Sequence, residues 1–136
     1  SDEFNRKSVL KARDLLRTPG KAIGVAPEGT RSKSNELLQA ENGLELFFRI
    51  GNNVLALPLA TEHSSIVPLA TKSRLIVGKA FTYDEIKNEH EENPQISVTE
   101  LMMERIADLL PKKNRGYYNI KWKNNFIWQL KYTVFY

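Results

Sequence analysis

Apolar positions between residues 6 and 17 recur at helical spacing. Val9, Ala12 and Leu16 share a face, Leu15 lies beside them, and Thr18-Pro19-Gly20 stops the run. Lys21-Ala22-Ile23-Gly24-Val25-Ala26 is a short apolar run after that turn and reads as a strand, ended by Pro27. Residues 28–35 are a polar loop. Asn42 is placed to cap a second helix carrying Leu44, Phe47 and Phe48 and closed by Gly51-Asn52-Asn53. Residues 54–60 read as a second buried strand and 73–77 as a third. Ser97-Val98-Thr99-Glu100 is a capping box, followed by Val98, Leu101, Met102, Ile106 and Leu109 on one face, with Pro111 as terminator. From Phe126 onward Trp128, Leu130, Tyr132, Val134 and Tyr136 alternate with Gln129, Lys131 and Thr133, a strand periodicity that Ile127 and Phe135 interrupt. Helix, strand, helix, strand in succession predicts an α/β fold, a layered sheet with flanking helices and at least partly parallel pairing.

Length and composition narrow this picture. The 136 residues, 41% of them hydrophobic, suit one domain or most of one, with enough apolar mass for a real core. No apolar run approaches the ~20 residues that cross a bilayer, and the first residues lack the pattern of a signal peptide. The absence of cysteine excludes a disulfide framework, a thiolate nucleophile and any cysteine-based metal site. Histidine is nearly as scarce, with His63 and His90 alone.

Net charge is +4, unevenly spread. Residues 111–136 hold six basic residues, no acid and 8 of the 13 aromatics. Residues 119–136 therefore stand apart as a basic aromatic segment after a domain over 1–118. Such a segment suits an anionic membrane surface, single-stranded nucleic acid, or a packed terminal element with its lysines in water. Recognition modules for nucleic acid are absent from the sequence. Asp84, Glu85, Glu89, Glu91 and Glu92 read as a solvated acidic loop.

Pro27-Glu28-Gly29-Thr30-Arg31-Ser32 is the stretch with chemistry in it. A strand leading into this loop would place it at a sheet's C-terminal edge, where open α/β folds bind ligands. Gly29 permits close backbone approach, Thr30 and Ser32 offer hydroxyls, and Arg31 can hold a phosphate through two parallel N–H donors. Glu28 can accept a ligand hydroxyl or orient Arg31. The same residues also read as a polar turn with a surface Glu–Arg pair.

This block resembles the Pro-Glu-Gly-Thr-Arg-Ser motif of the glycerol-phosphate and lysophosphatidate acyltransferase superfamily. The order of the surrounding blocks is similar too: a helix ending at Gly20, Gly43 opening a helix, Leu57-Pro58-Leu59, Leu75-Ile76-Val77-Gly78-Lys79, and Arg115-Gly116-Tyr117-Tyr118 after the Ser97 helix. The resemblance covers roughly residues 6–118. It implies acyl transfer from acyl-CoA or acyl carrier protein to a hydroxyl of glycerol phosphate or a lysophospholipid, in phospholipid synthesis. It implies that Glu28, Gly29, Thr30 and Arg31 bind the acceptor, that Pro58 helps shape a pocket, and that the protein is cytoplasmic and peripherally attached to a membrane. No metal, cofactor or nucleic acid is implied; the acyl donor is a co-substrate.

The family's catalytic pair, His-x4-Asp, has no counterpart. Pro68 stands five positions after His63 and Gln95 five after His90, and both histidines follow the loop that the family's pair precedes. His63 reads as a loop histidine and His90 as solvated. No catalytic residue is therefore assigned. The expectation is the C-terminal portion of an acyltransferase domain, inactive alone; the alternative is a non-catalytic lipid- or phosphate-binding module.

Overall fold

Two serine- or threonine-led caps set the boundaries of the best-defined helices. The computed structural model describes residues 2–67 and 70–119. The Ser97 hydroxyl accepts from the Glu100 N–H at 3.2 Å while the Glu100 carboxylate accepts from the Ser97 N–H at 3.1 Å, opening helix Val98–Ala107. Thr82 and Glu85 repeat this arrangement at the start of helix Tyr83–Glu92. The acidic cluster expected as a loop is thus a helix. Its carboxylates at the N-terminus favour the helix dipole, and Ile86 is fully buried on its inner side.

In chain order the elements are α1 (Asp2–Leu16), α2 (Leu46–Ile50), β1 (Leu55–Ala56), β2 (Leu59–Val67), β3 (Ala70–Val77), β4 (Phe81–Thr82), α3 (Tyr83–Glu92) and α4 (Val98–Ala107). Two short 3-10 turns follow, Lys112–Asn114 and Gly116–Tyr118. The fold is mixed α and β, with small antiparallel sheets. β1 pairs with β4, and β2 with β3, both antiparallel.

The parallel pairing expected from the sequence is not found among the described residues. Only two residues separate β2 from β3, and a parallel crossover needs a dozen or more. Residues 61–67 and 70–72, expected as connections, extend both strands. Two further expectations are corrected. Residues 21–26 join no ladder among the described residues. The second helix begins at Leu46 after Glu45, not after Asn42, and Gly43 at φ +107° lies outside it. The alternation after Phe126 lies outside the described residues.

The main core gathers Phe48, Phe81, Ile86, Ile96, Val98, Leu101 and Met102. The Arg105 guanidinium spans from α4 to the Glu89 carboxylate of α3 at 3.0 and 3.1 Å and lies 4.7 Å from the Phe81 ring centre. Helix α4 is buried on a second side as well. Met103 and Ala107 pack with Tyr118 and with the half-buried Leu37 and Ala40. This smaller cluster holds the polar loop.

Candidate functional site

The loop that begins at Pro27 is long and polar, so side-chain packing alone cannot hold it. Hydrogen bonds do. The Glu41 N–H donates to the Pro27 carbonyl at 2.8 Å and closes the loop's base. The Glu28 carboxylate accepts from the Leu38 N–H at 2.7 Å. Leu37 is then paired on both backbone groups: its N–H donates to the Asn114 carbonyl and its carbonyl accepts from the Tyr117 N–H, each at 3.0 Å. The Asn114 side-chain N–H reaches the Asn35 carbonyl at 2.9 Å, and the Ala40 N–H donates to the Tyr118 hydroxyl at 2.8 Å. Burial pushes the Tyr118 phenol above its ordinary pKa, while the Ala40 N–H pulls it down. The loop is therefore stapled to the chain around Asn114–Tyr118, nearly eighty residues further along.

Two glycines make this close packing possible. Gly116 adopts φ +47°, and a Cβ there would meet the Leu37 carbonyl oxygen at 2.2 Å. Gly29 adopts φ +67°, and its Cβ would meet the Glu41 Cγ at 2.9 Å. Gly29 thus serves the loop's own turn; it does not line the cleft beside the loop.

That cleft, about 500 Å³, is bounded by Glu28, Thr30, Arg31 and Ser32, by residues 59–63 of β2, and by Met103, Ile106 and Leu110. The fold therefore brings three of the sequence-predicted residues, Glu28, Thr30 and Arg31, to one wall. Arg31 is exposed and has no hydrogen bond or ion pair to a described residue. The expected Glu28–Arg31 pairing does not form, because the Glu28 carboxylate is committed to Leu38. The Asn114 Oδ1, in the same cleft, is the one buried side-chain polar atom without a partner among the described residues.

Pro58 is buried and lies elsewhere, in an apolar groove of about 670 Å³ between residues 18–25 and 53–59. The groove and the cleft share Val25, Pro27, Leu59 and Ile106 as walls. A polar chamber and an apolar one thus adjoin across a common partition.

No family model, curated protein or solved structure matches this chain.

Sequence reasoning missed His63. It sits in strand β2, not in a loop, and lines the cleft with Arg31. Its Nδ1 is 2.8 Å from the Ser73 hydroxyl across the ladder. His90 is half-buried, with Nδ1 2.7 Å from the Ile96 carbonyl oxygen. Extending the strand from residue 60 through its polar stretch takes His63 out of the loop, but its pairing with Ser73 depends on the register shift between Ser65 and Val67.

Proposed function

We propose that this chain is the acceptor-binding part of a domain resembling the glycerol-phosphate and lysophosphatidate acyltransferases. The ligand's phosphate and glycerol occupy the cleft, and its apolar end occupies the groove. The observation that carries this reading is the shared wall between a polar chamber bearing Arg31 and Thr30 and an apolar chamber bearing Pro58. A lysophospholipid has the same division, with a charged head joined to a hydrocarbon chain. Arg31 supplies the charge-assisted contact to phosphate and Thr30 a hydroxyl donor. Glu28 orders the loop from within.

In the reaction this reading implies, a base takes the proton from an acceptor hydroxyl, whose oxygen then attacks the acyl thioester. The sequence holds no His-x4-Asp pair for that step. The chain by itself binds acceptor and does not turn it over. An exposed apolar strip supports an incomplete layered domain. Outside the groove, Leu75 and Val77 are 61% and 57% exposed, where a layered sheet places a covering element.

A second reading, a non-catalytic module for lipids or phosphate, is supported by the same two chambers together with the missing pair. Among the described residues no helix is long and apolar enough to cross a membrane; peripheral attachment is part of the proposal in either reading.

Equilibrium binding of lysophosphatidate, glycerol 3-phosphate and glycerol tests the cleft. Binding is expected to be saturable and to require the phosphate, and Arg31→Ala should weaken it by about 1.5–3 kcal/mol. Equal binding of glycerol and glycerol 3-phosphate, or an unaffected variant, removes the loop's role. Release of CoA from acyl-CoA and lysophosphatidate by this chain alone overturns the inactive-part reading. Competition by acyl-CoA for the groove favours the acyltransferase reading over the module.

A further inference from the structure

The charge around the cleft is unbalanced for an anion. Its walls carry three carboxylates, on Glu28, Glu36 and Glu62, and one permanent cation, Arg31. Internal contacts moderate the carboxylates. Glu28 accepts from the Leu38 N–H, Glu36 from the Ser34 hydroxyl, and Glu62 is paired with Arg74 across the ladder. None of these contacts adds a positive group to the cleft itself. Among the described residues lining it, His63 is the one other side chain able to become positive. The facing segment of α4 contributes only Met103 and Ile106, which carry no charge.

His63 is also tied at one ring nitrogen. With Nδ1 2.8 Å from the Ser73 hydroxyl, the ring has two states that leave a proton on Nε2. In the neutral one Ser73 donates to Nδ1 and Nε2–H remains. In the imidazolium Nδ1–H donates to Ser73 and Nε2–H again remains. Both present a donor to an oxyanion, and the second adds a charge. An oxyanion in the cleft selects these states over the tautomer whose Nε2 is an acceptor.

We propose that His63 is a ligand-binding residue of this cleft, donating from Nε2 to the phosphate beside Arg31, so that protonation of its imidazole tightens anion binding. The inference rests on the reading of the cleft as a phosphate site and adds to it a second contact and a pH dependence.

The test uses the full chain, whose two histidines give separable imidazole signals. The titration of both rings is followed by NMR in chloride, in sulfate and in glycerol 3-phosphate at equal ionic strength. Sulfate keeps its charge across the range, which separates the protein's titration from the ligand's. The His63 midpoint is expected to rise by about one pH unit with either anion, the counterpart of a roughly tenfold preference for the protonated ring. The His90 midpoint stays in place, and Arg31→Ala abolishes the rise. His63→Gln should weaken sulfate binding roughly tenfold near pH 5.5 and much less near pH 8, with an unchanged fold by circular dichroism. An unmoved His63 midpoint alongside saturable, Arg31-dependent binding overturns the role of His63 and leaves the cleft reading standing. Absence of saturable anion binding at any pH overturns both.

Discussion

Replacing Gly116 with alanine probes the junction on which the cleft depends. Two costs arise. An L-residue held at φ +47° pays about 1–2 kcal/mol in backbone strain. The added Cβ would also stand 2.2 Å from the Leu37 oxygen and 2.9 Å from the Leu37 nitrogen. These are backbone atoms and cannot swing aside as a side chain would. Relief requires the loop to part from Asn114 and Tyr117, which breaks the two 3.0 Å hydrogen bonds of Leu37, each contributing about 0.5–1.5 kcal/mol net. The total is about 2–5 kcal/mol, a large share of an ordinary domain's stability. Gly20→Ala is the control, because Gly20 is also left-handed at φ +74° but a Cβ there meets nothing within 4 Å. It should lose no more than the strain component. Urea unfolding of both variants measures the difference, and amide exchange at Leu37 and Tyr117 locates it. Gly116→Ala should expose both amides and weaken glycerol 3-phosphate binding. Equal destabilisation by the two substitutions, with Leu37 still protected, would refute the stapled-loop account.

Tyr118→Phe removes the acceptor of the Ala40 N–H. Because Ala40 is half-buried and water can partly replace the oxygen, the cost is expected at about 1–2 kcal/mol. Calorimetry should record a fall in Tm of about 3–8 °C, and an unchanged Tm would assign the hydroxyl no structural role. Hydrogen bonds from the Thr82 backbone and side chain hold the Glu85 carboxyl below its ordinary pKa. A lowered folded-state pKa means that its contribution is present above the unfolded value and is lost as pH falls through the folded one. Acid titration of unfolding midpoints should therefore show a shallower loss for Glu85→Gln than for the unsubstituted chain; parallel curves would contradict the capping account.

Much of the helical structure is legible locally. Ser97 and Glu100 carry their own partners three residues apart, so the start of α4 is written in four letters, and Pro111 follows its end. The Thr82–Glu85 box at α3 is equally local, but the density of acidic residues hid it as a solvated loop. Its helical character depends on Ile86 finding the core. Strand pairing was less legible. The polar letters of 61–65 hid a strand because the ribbon β2–β3 does not draw its pairing from an alternating apolar face, and the short separation between the two strands decided that they run antiparallel. For the cleft, Pro27-Glu28-Gly29-Thr30-Arg31-Ser32 announced its candidate residues, yet Gly29 turned inward to the loop and Pro58 to the neighbouring groove.

The sequence by itself determined the Ser97-capped helix and the polar character of the loop from Pro27, because each depends on residues within a turn or two of one another. Tertiary structure decided where that loop sits and which other groups share its cleft. Leu37 meets Asn114 and Tyr117, Ala40 meets Tyr118, and His63 and Arg31 line one cleft. These encounters join residues tens of positions apart, and no local spacing encodes them. They follow from backbone groups that must find hydrogen-bond partners once water is excluded, and from α4 burying Met103 and Ala107 beneath them.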